Sequence, residues 1–243
     1  MEFLSTEDAL ALAAVAAIHG GDVDALRALL REHPELATVR LGDACGMSRT
    51  LLHVATDWPG HYPNGPRVVE TLLAAGADVN ARFAGPHTET PLHWAASSDD
   101  VPVLDALLDA GADIEAGGSV IGGGTPLSDA CAFGQWNVAR RLVERGARTE
   151  LWQDAALGRI DGVRSYFERA NPASVEDATH ALWCAAHGGQ DETTAYLLGR
   201  GADINWVGYD DLTPLDAAER SEAHGLVTWL RGKGGLSAKD LTA

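Results

Sequence analysis

The stretch Thr88–Ala116, TETPLHWAASSDDVPVLDALLDAGADIEA, constrains this chain more than any other. Thr90 offers a hydroxyl to cap a helix, and Pro91 takes the first helical position, where a missing N–H costs nothing. Leu92, Ala95 and Ala96 then give a short helix with one apolar, small-residue face, and Val103, Leu104, Leu107 and Leu108 give a second. Gly111 ends the second helix, where the backbone must turn left-handed. Helices this short are unstable alone, so the pair must stack on copies of itself.

The copies are present. TPLxxA returns as Thr125–Ala130 and Thr213–Ala218, and in degraded form as Thr50–Ala55. The helix-ending Gly-Ala-Asp returns at Gly76, Gly111 and Gly201, with Gly146-Ala147-Arg148 as a variant. A period of about 33 residues, TPLHxA and LLxxGAD together resemble the ankyrin repeat over nearly the whole chain. The resemblance implies an all-α ankyrin-repeat solenoid of about seven helix pairs with short β-hairpin fingers. It implies a single array over residues 1–243, with irregular first and last repeats acting as caps. It also implies a binding scaffold that holds a partner protein in its concave groove.

A formal net charge of −17 argues against binding nucleic acid or an anionic membrane surface and favours a neutral or basic protein partner. Cys45, Cys131 and Cys184 are odd in number and lack CxxC spacing, which suits small buried residues in a reducing cytosol. The acidic start Met1–Asp8 does not read as a signal peptide, and no apolar run is long enough to cross a bilayer. A cytoplasmic protein is expected.

In chain order, Ser5 or Thr6 is expected to cap a helix from Ala9 to Ile18, followed by one from Val23 to Arg31. Further pairs are expected at Leu51–Thr56 with Arg67–Ala75, and at Leu151–Leu157 with Asp161–Arg169. Leu182–His187 with Glu192–Arg200, and Pro214–Arg220 with Ala223–Arg231, complete the array. Asn171–Asp177 reads as a connection, and the last twelve residues as a frayed tail. From Gly146 to Leu151 the finger is almost wholly missing, making that junction the expected weak point. WPGHYPNGP, Trp58–Pro66, has three prolines and two glycines and reads as a protruding loop.

No motif specifies a reaction, a metal or a cofactor: HExxH, zinc spacing, GxSxG and a Walker loop are all missing, and Gly117–Gly124 is not followed by Lys-Ser/Thr. His53 and His93 take the His of TPLHxA, which the resemblance implies stitches neighbouring turns together. Aligned on their second helices, the repeats place His19, Asp57, Ser97, Ala132, Ala156 and His187 in one row. Trp58, Ser98, Phe133 and Leu157 fall in the next. Trp94 and Asp129 sit one turn earlier, and Trp136, Trp152, Trp183 and Trp229 fall where packing between repeats explains them. The candidate binding groove is therefore Trp58, His61, Tyr62, His87, Glu89, Trp94, Ser97, Ser98 and Phe133. The alternative reading is a small-molecule-binding protein or enzyme with an aromatic and acidic concave pocket. There a desolvated Asp57 or Asp129 would be the base and His187 its acid partner.

Overall fold

First helices in this chain open on a shared hydrogen-bonded corner, seen in a computed structural model that describes residues 3–42 and 46–241. The Thr90 amide donates to Nδ1 of His93 at 3.1 Å, and Nε2 of the same ring donates to the Gly124 carbonyl at 3.3 Å. His53 repeats the pattern: Nδ1 accepts from the Thr50 amide and Nε2 reaches the Glu89 carbonyl at 3.2 Å. Because Nδ1 accepts, the proton sits on Nε2, and each ring ties its own helix start to the next finger. Both rings are fully buried, and desolvation lowers their pKa values to about 4.

Among the described residues the helices fall into seven pairs. They are α1 (Ala9–His19) with α2 (Val23–Glu32), α3 (Leu51–Thr56) with α4 (Gly65–Ala74), and α5 (Pro91–Ser97) with α6 (Val101–Asp109). Next come α7 (Pro126–Ala132) with α8 (Trp136–Glu144), and α9 (Leu151–Ala156) with α10 (Ile160–Glu168). Last are α11 (Val175–His187) with α12 (Asp191–Gly199), and α13 (Pro214–Arg220) with α14 (His224–Gly232). A short α15 (Ala238–Leu241) follows.

The chain divides into two compact units, Met1–Ala147 and Arg148–Ala243, with the boundary inside the fingerless stretch. In the first unit Ile18, Leu26, Leu52, Leu92, Leu104 and Leu127 are fully buried, each contributing about 1.5–3 kcal/mol of hydrophobic stabilisation. In the second, Ala155, Val163, Ala178, Leu182 and Leu197 form the core, with Phe167 and Tyr196 packed against it.

Several expectations are corrected. The cap of α1 is Asp8, whose carboxylate accepts from the Leu10 amide; Ser5 is taken up in a strand. β1 (Phe3–Ser5) runs parallel to β2 (Arg40–Gly42), and β2 pairs antiparallel with β3 (Ser48–Arg49). Among the described residues, paired strands are confined to this sheet and one bridge from Ser48 to Ala84, while later fingers close on single backbone bonds such as the Phe83 amide to the Glu89 carbonyl at 2.8 Å. The later fingers are turns joined by asparagines. Asn80 donates to the Gly111 carbonyl at 3.3 Å and accepts from the Asp113 amide at 2.8 Å. Asn205 does the same for Gly234 and Leu236.

Part of Asn171–Asp177 is helix, because Ser174 and Asp177 form a capping box that starts α11 early. The tail is not frayed throughout. Asp216 accepts from the Ala238 amide and Thr213 donates to the Leu236 carbonyl, both at 2.8 Å, which docks the segment on the start of α13. Cys45 lies outside the described residues; Cys131 and Cys184 are buried thiols outside any disulfide. No helix among the described residues is long and apolar enough to cross a membrane.

Candidate functional site

The ends of the first helices and the fingers beside them carry the candidate residues. In the first unit His19, Asp57, Ser97 and Ala132 do occupy equivalent helix ends. Asp57 is closed by an ion pair with Arg49 at 2.5 Å, and the Arg49 guanidinium lies 6.0 Å above the Trp94 ring. Trp94 is half-buried, edge-on to His53 at 5.0 Å and tilted against Phe83 at 5.5 Å. Glu89 is half-buried beside this cluster, and burial raises its carboxyl pKa while His87, exposed on the same finger, opposes the shift.

The loop after α3 is pinned at several points. The His61 amide donates to the Asp100 carboxylate at 2.7 Å, and His61 Nε2 lies 3.0 Å from the Ser98 carbonyl. Tyr62 stacks on His19 with ring centroids 4.2 Å apart, and Asn64 donates to the Gly21 carbonyl at 2.9 Å. His61 and Tyr62 are therefore anchors rather than free ligands, and Ser98 is buried beneath the loop against Gly60. Trp58 is different: its amide is held by Asp57 at 2.9 Å, yet the residue is 77% exposed. Phe133, just past the end of α7, is 48% exposed.

Asp129 does not line an open face. It is 0% exposed, and its Oδ1 accepts a 2.5 Å hydrogen bond from Ser119 of the glycine-rich finger. Burial raises its pKa to about 7, with Glu89 adding to the rise and Ser119 opposing it. His187 belongs to the second unit, where it sits 5.5 Å from Trp183 and its carbonyl accepts from the Ser221 hydroxyl at 2.6 Å. His187 thus shares a unit with neither Asp57 nor Asp129; Asp57 is ion-paired and Asp129 is enclosed. Among the described residues no group of three or more His, Cys, Asp or Glu is placed to hold a metal ion.

An aromatic face in the second unit escaped the sequence reading. Trp183 takes the motif's His slot, and its Nε1 donates to the Leu212 carbonyl at 2.9 Å, replacing the histidine stitch of the earlier repeats. Tyr209 meets Trp183 edge-on at 5.1 Å and Trp206 at 5.8 Å, while His180 lies 4.7 Å from Trp206. Arg220 sits 5.6 Å over Trp183 and pairs with Asp210 at 2.5 Å. Tyr209 and Val207 are exposed there, at 51% and 44%. The signal was a tryptophan where the motif has histidine; its finger partners come from a connection with no motif of its own.

Stacked helix pairs with histidine-stitched corners and asparagine-linked fingers define a helical-repeat protein. Family models for ankyrin repeats match twice, as three copies over residues 64–153 and as a single repeat over residues 179–209. The chain is an ankyrin-repeat protein. It is 32% identical over 178 residues to an ankyrin repeat and KH domain-containing protein of Caenorhabditis briggsae, covering 70% of this chain and 7% of that one. It is 29% identical over 158 residues to alpha-latrocrustotoxin of Latrodectus tredecimguttatus, 65% of this chain and 9% of the toxin. To the E3 ubiquitin-protein ligase KEG of Arabidopsis thaliana it is 35% identical over 94 residues, 39% of this chain and 6% of the ligase. The aligned stretches are thus under a tenth of each of these three relatives.

Proposed function

We propose that this chain is a binding scaffold that holds a neutral or basic protein segment against its helix ends and fingers. The observation that carries the reading is Trp58, 77% exposed on a loop whose neighbours are fixed by Asp57, Asp100, Ser98 and His19. A large exposed ring on a pinned stretch of backbone gives up only its own side-chain freedom on binding, and such rings are the usual hot spots of interfaces. Phe133 offers a second ring two repeats along, with His87, Glu89 and the visible part of Trp94 on the fingers and helix between. Trp206 and Tyr209 give the second unit its own contact area for the same class of partner. The net charge of −17 favours a neutral or basic partner over nucleic acid, and buried cysteines outside any disulfide fit a reducing, cytoplasmic setting.

The test selects peptides from a displayed library on the folded chain and compares their affinities for Trp58→Ala and Phe133→Ala. Neutral or basic peptides should be selected, and Trp58→Ala should weaken them about tenfold or more at an unchanged melting temperature. Acidic peptides, or affinities that ignore both substitutions, would overturn the reading.

A further inference from the structure

The finger Gly117–Gly124, GGSVIGGG, is five-eighths glycine, and Gly118, Gly122 and Gly123 all have positive φ. It encloses one polar side chain, Ser119, which is 1% exposed. The Ser119 hydroxyl donates to Oδ1 of Asp129 at 2.5 Å and accepts from the Ile121 amide at 2.8 Å. The second carboxyl oxygen, Oδ2, is equally enclosed and, among the described residues, no group hydrogen-bonds to it. A neutral carboxyl tolerates that position at modest cost. An ionised one with a bare, buried oxygen does not, unless solvent reaches it.

We propose that Ser119 and Asp129 form a proton-operated latch on this finger: the protonated carboxyl keeps the finger shut on α7, and ionisation releases it. The proton passes to bulk water as the finger lifts and the carboxylate becomes solvated. Flanking contacts leave the finger hinged, since Arg82 holds the Gly117 carbonyl at one end and His93 holds the Gly124 carbonyl at the other.

The charged groups around Asp129 favour the same device. Glu89, on the preceding finger, adds negative potential, with His87 beside it in the opposite sense. His93 on α5 stays neutral down to about pH 4, so its bond to Gly124 does not change across the switching range. On α8, Arg141 and Arg145 are engaged by Asp105, Asp109 and Glu144. Burial holds the Asp129 carboxyl at about 7 in the shut state, against about 4 for a solvated aspartate. The shut state therefore binds the extra proton: it is most stable below pH 4 and weakens steadily as the pH rises to 7. The latch belongs to the unliganded chain and is independent of the partner reading.

Hydrogen exchange of the 118–124 amides, corrected for intrinsic rates, should show opening about tenfold or more greater at pH 8 than at pH 5.5. Asp129→Asn should abolish that difference, and Ser119→Ala should leave the finger open at both pH values. A wild-type finger equally protected at both, or a pH dependence that survives in Asp129→Asn, would overturn the latch. Should Asp129→Asn fold poorly, carboxyl carbon NMR of the wild-type chain reads the site directly. A midpoint for Asp129 near neutrality supports the latch, and one below about 5 overturns it.

Discussion

His53 and His93 link stability to pH in the direction opposite to Asp129. Their folded pKa values, about 4, lie below the ordinary 6.5, so the folded state binds fewer protons than the unfolded chain between those values. Their contribution is complete above pH 6.5 and is lost as the pH falls towards 4, at about 1.4 kcal/mol per pH unit for each ring. Asp129 gains stability over part of the same range, but one carboxyl does not offset two imidazoles. Urea unfolding should therefore show stability dropping from pH 6.5 to 4.5. His93→Gln should remove close to one proton from that slope, because a glutamine can take the Thr90 amide as Gln153 takes Glu150 at 2.8 Å. An unchanged slope would mean that His93 titrates normally in the fold.

Between elements, aspartates at the turns bear more than their own helix. Asp100 caps α6 through the Val103 amide at 3.2 Å and also holds His61 of the preceding repeat. Asp99, left-handed at φ 53°, receives the Val138 amide at 2.8 Å and Asn137 at 2.7 Å, and so caps α8 from the neighbouring repeat. Asp100→Ala should cost about 2 kcal/mol, at the upper end for a lost cap, and should loosen the loop that carries Trp58. Trp58→Ala should stay within about 0.5 kcal/mol of wild type, because an exposed ring packs on little. Thermal melts of the two variants check the contrast; equal destabilisation would mean that the Trp58 ring supports the loop. In the second unit Gly188→Ala should be severe, about 3 kcal/mol, since a Cβ there would lie 1.9 Å from the Ala156 carbonyl oxygen. A melt matching wild type would refute that close approach.

At the scale of the whole molecule, charge governs encounter more than fold. With a net −17, association with a basic peptide should slow several-fold as salt rises from 50 to 300 mM, while dissociation changes less. Stopped-flow rates that ignore salt would place the binding energy in the aromatic rings alone.

The sequence alone determined the repeat, because short helices with fixed starts and stops can be stable in one way, by stacking on their like. Thr90-Pro91, Gly111 and the histidines at 53 and 93 were legible for that reason: each acts on its own backbone or on the next copy of the same motif. Residues whose surroundings come from other repeats were not legible. Trp58, Tyr62 and His61 share one loop, yet contacts with His19, Ser98 and Asp100 decide that two are anchors and one is exposed. Asp129 reads from the sequence as a groove residue one turn before the candidate row, but enclosure by Ser119 and the nearness of Glu89 make it a buried, titratable one. Periodicity fixes which residues face the stack; burial and charge depend on what folds over them, and that is set by chain distant in sequence.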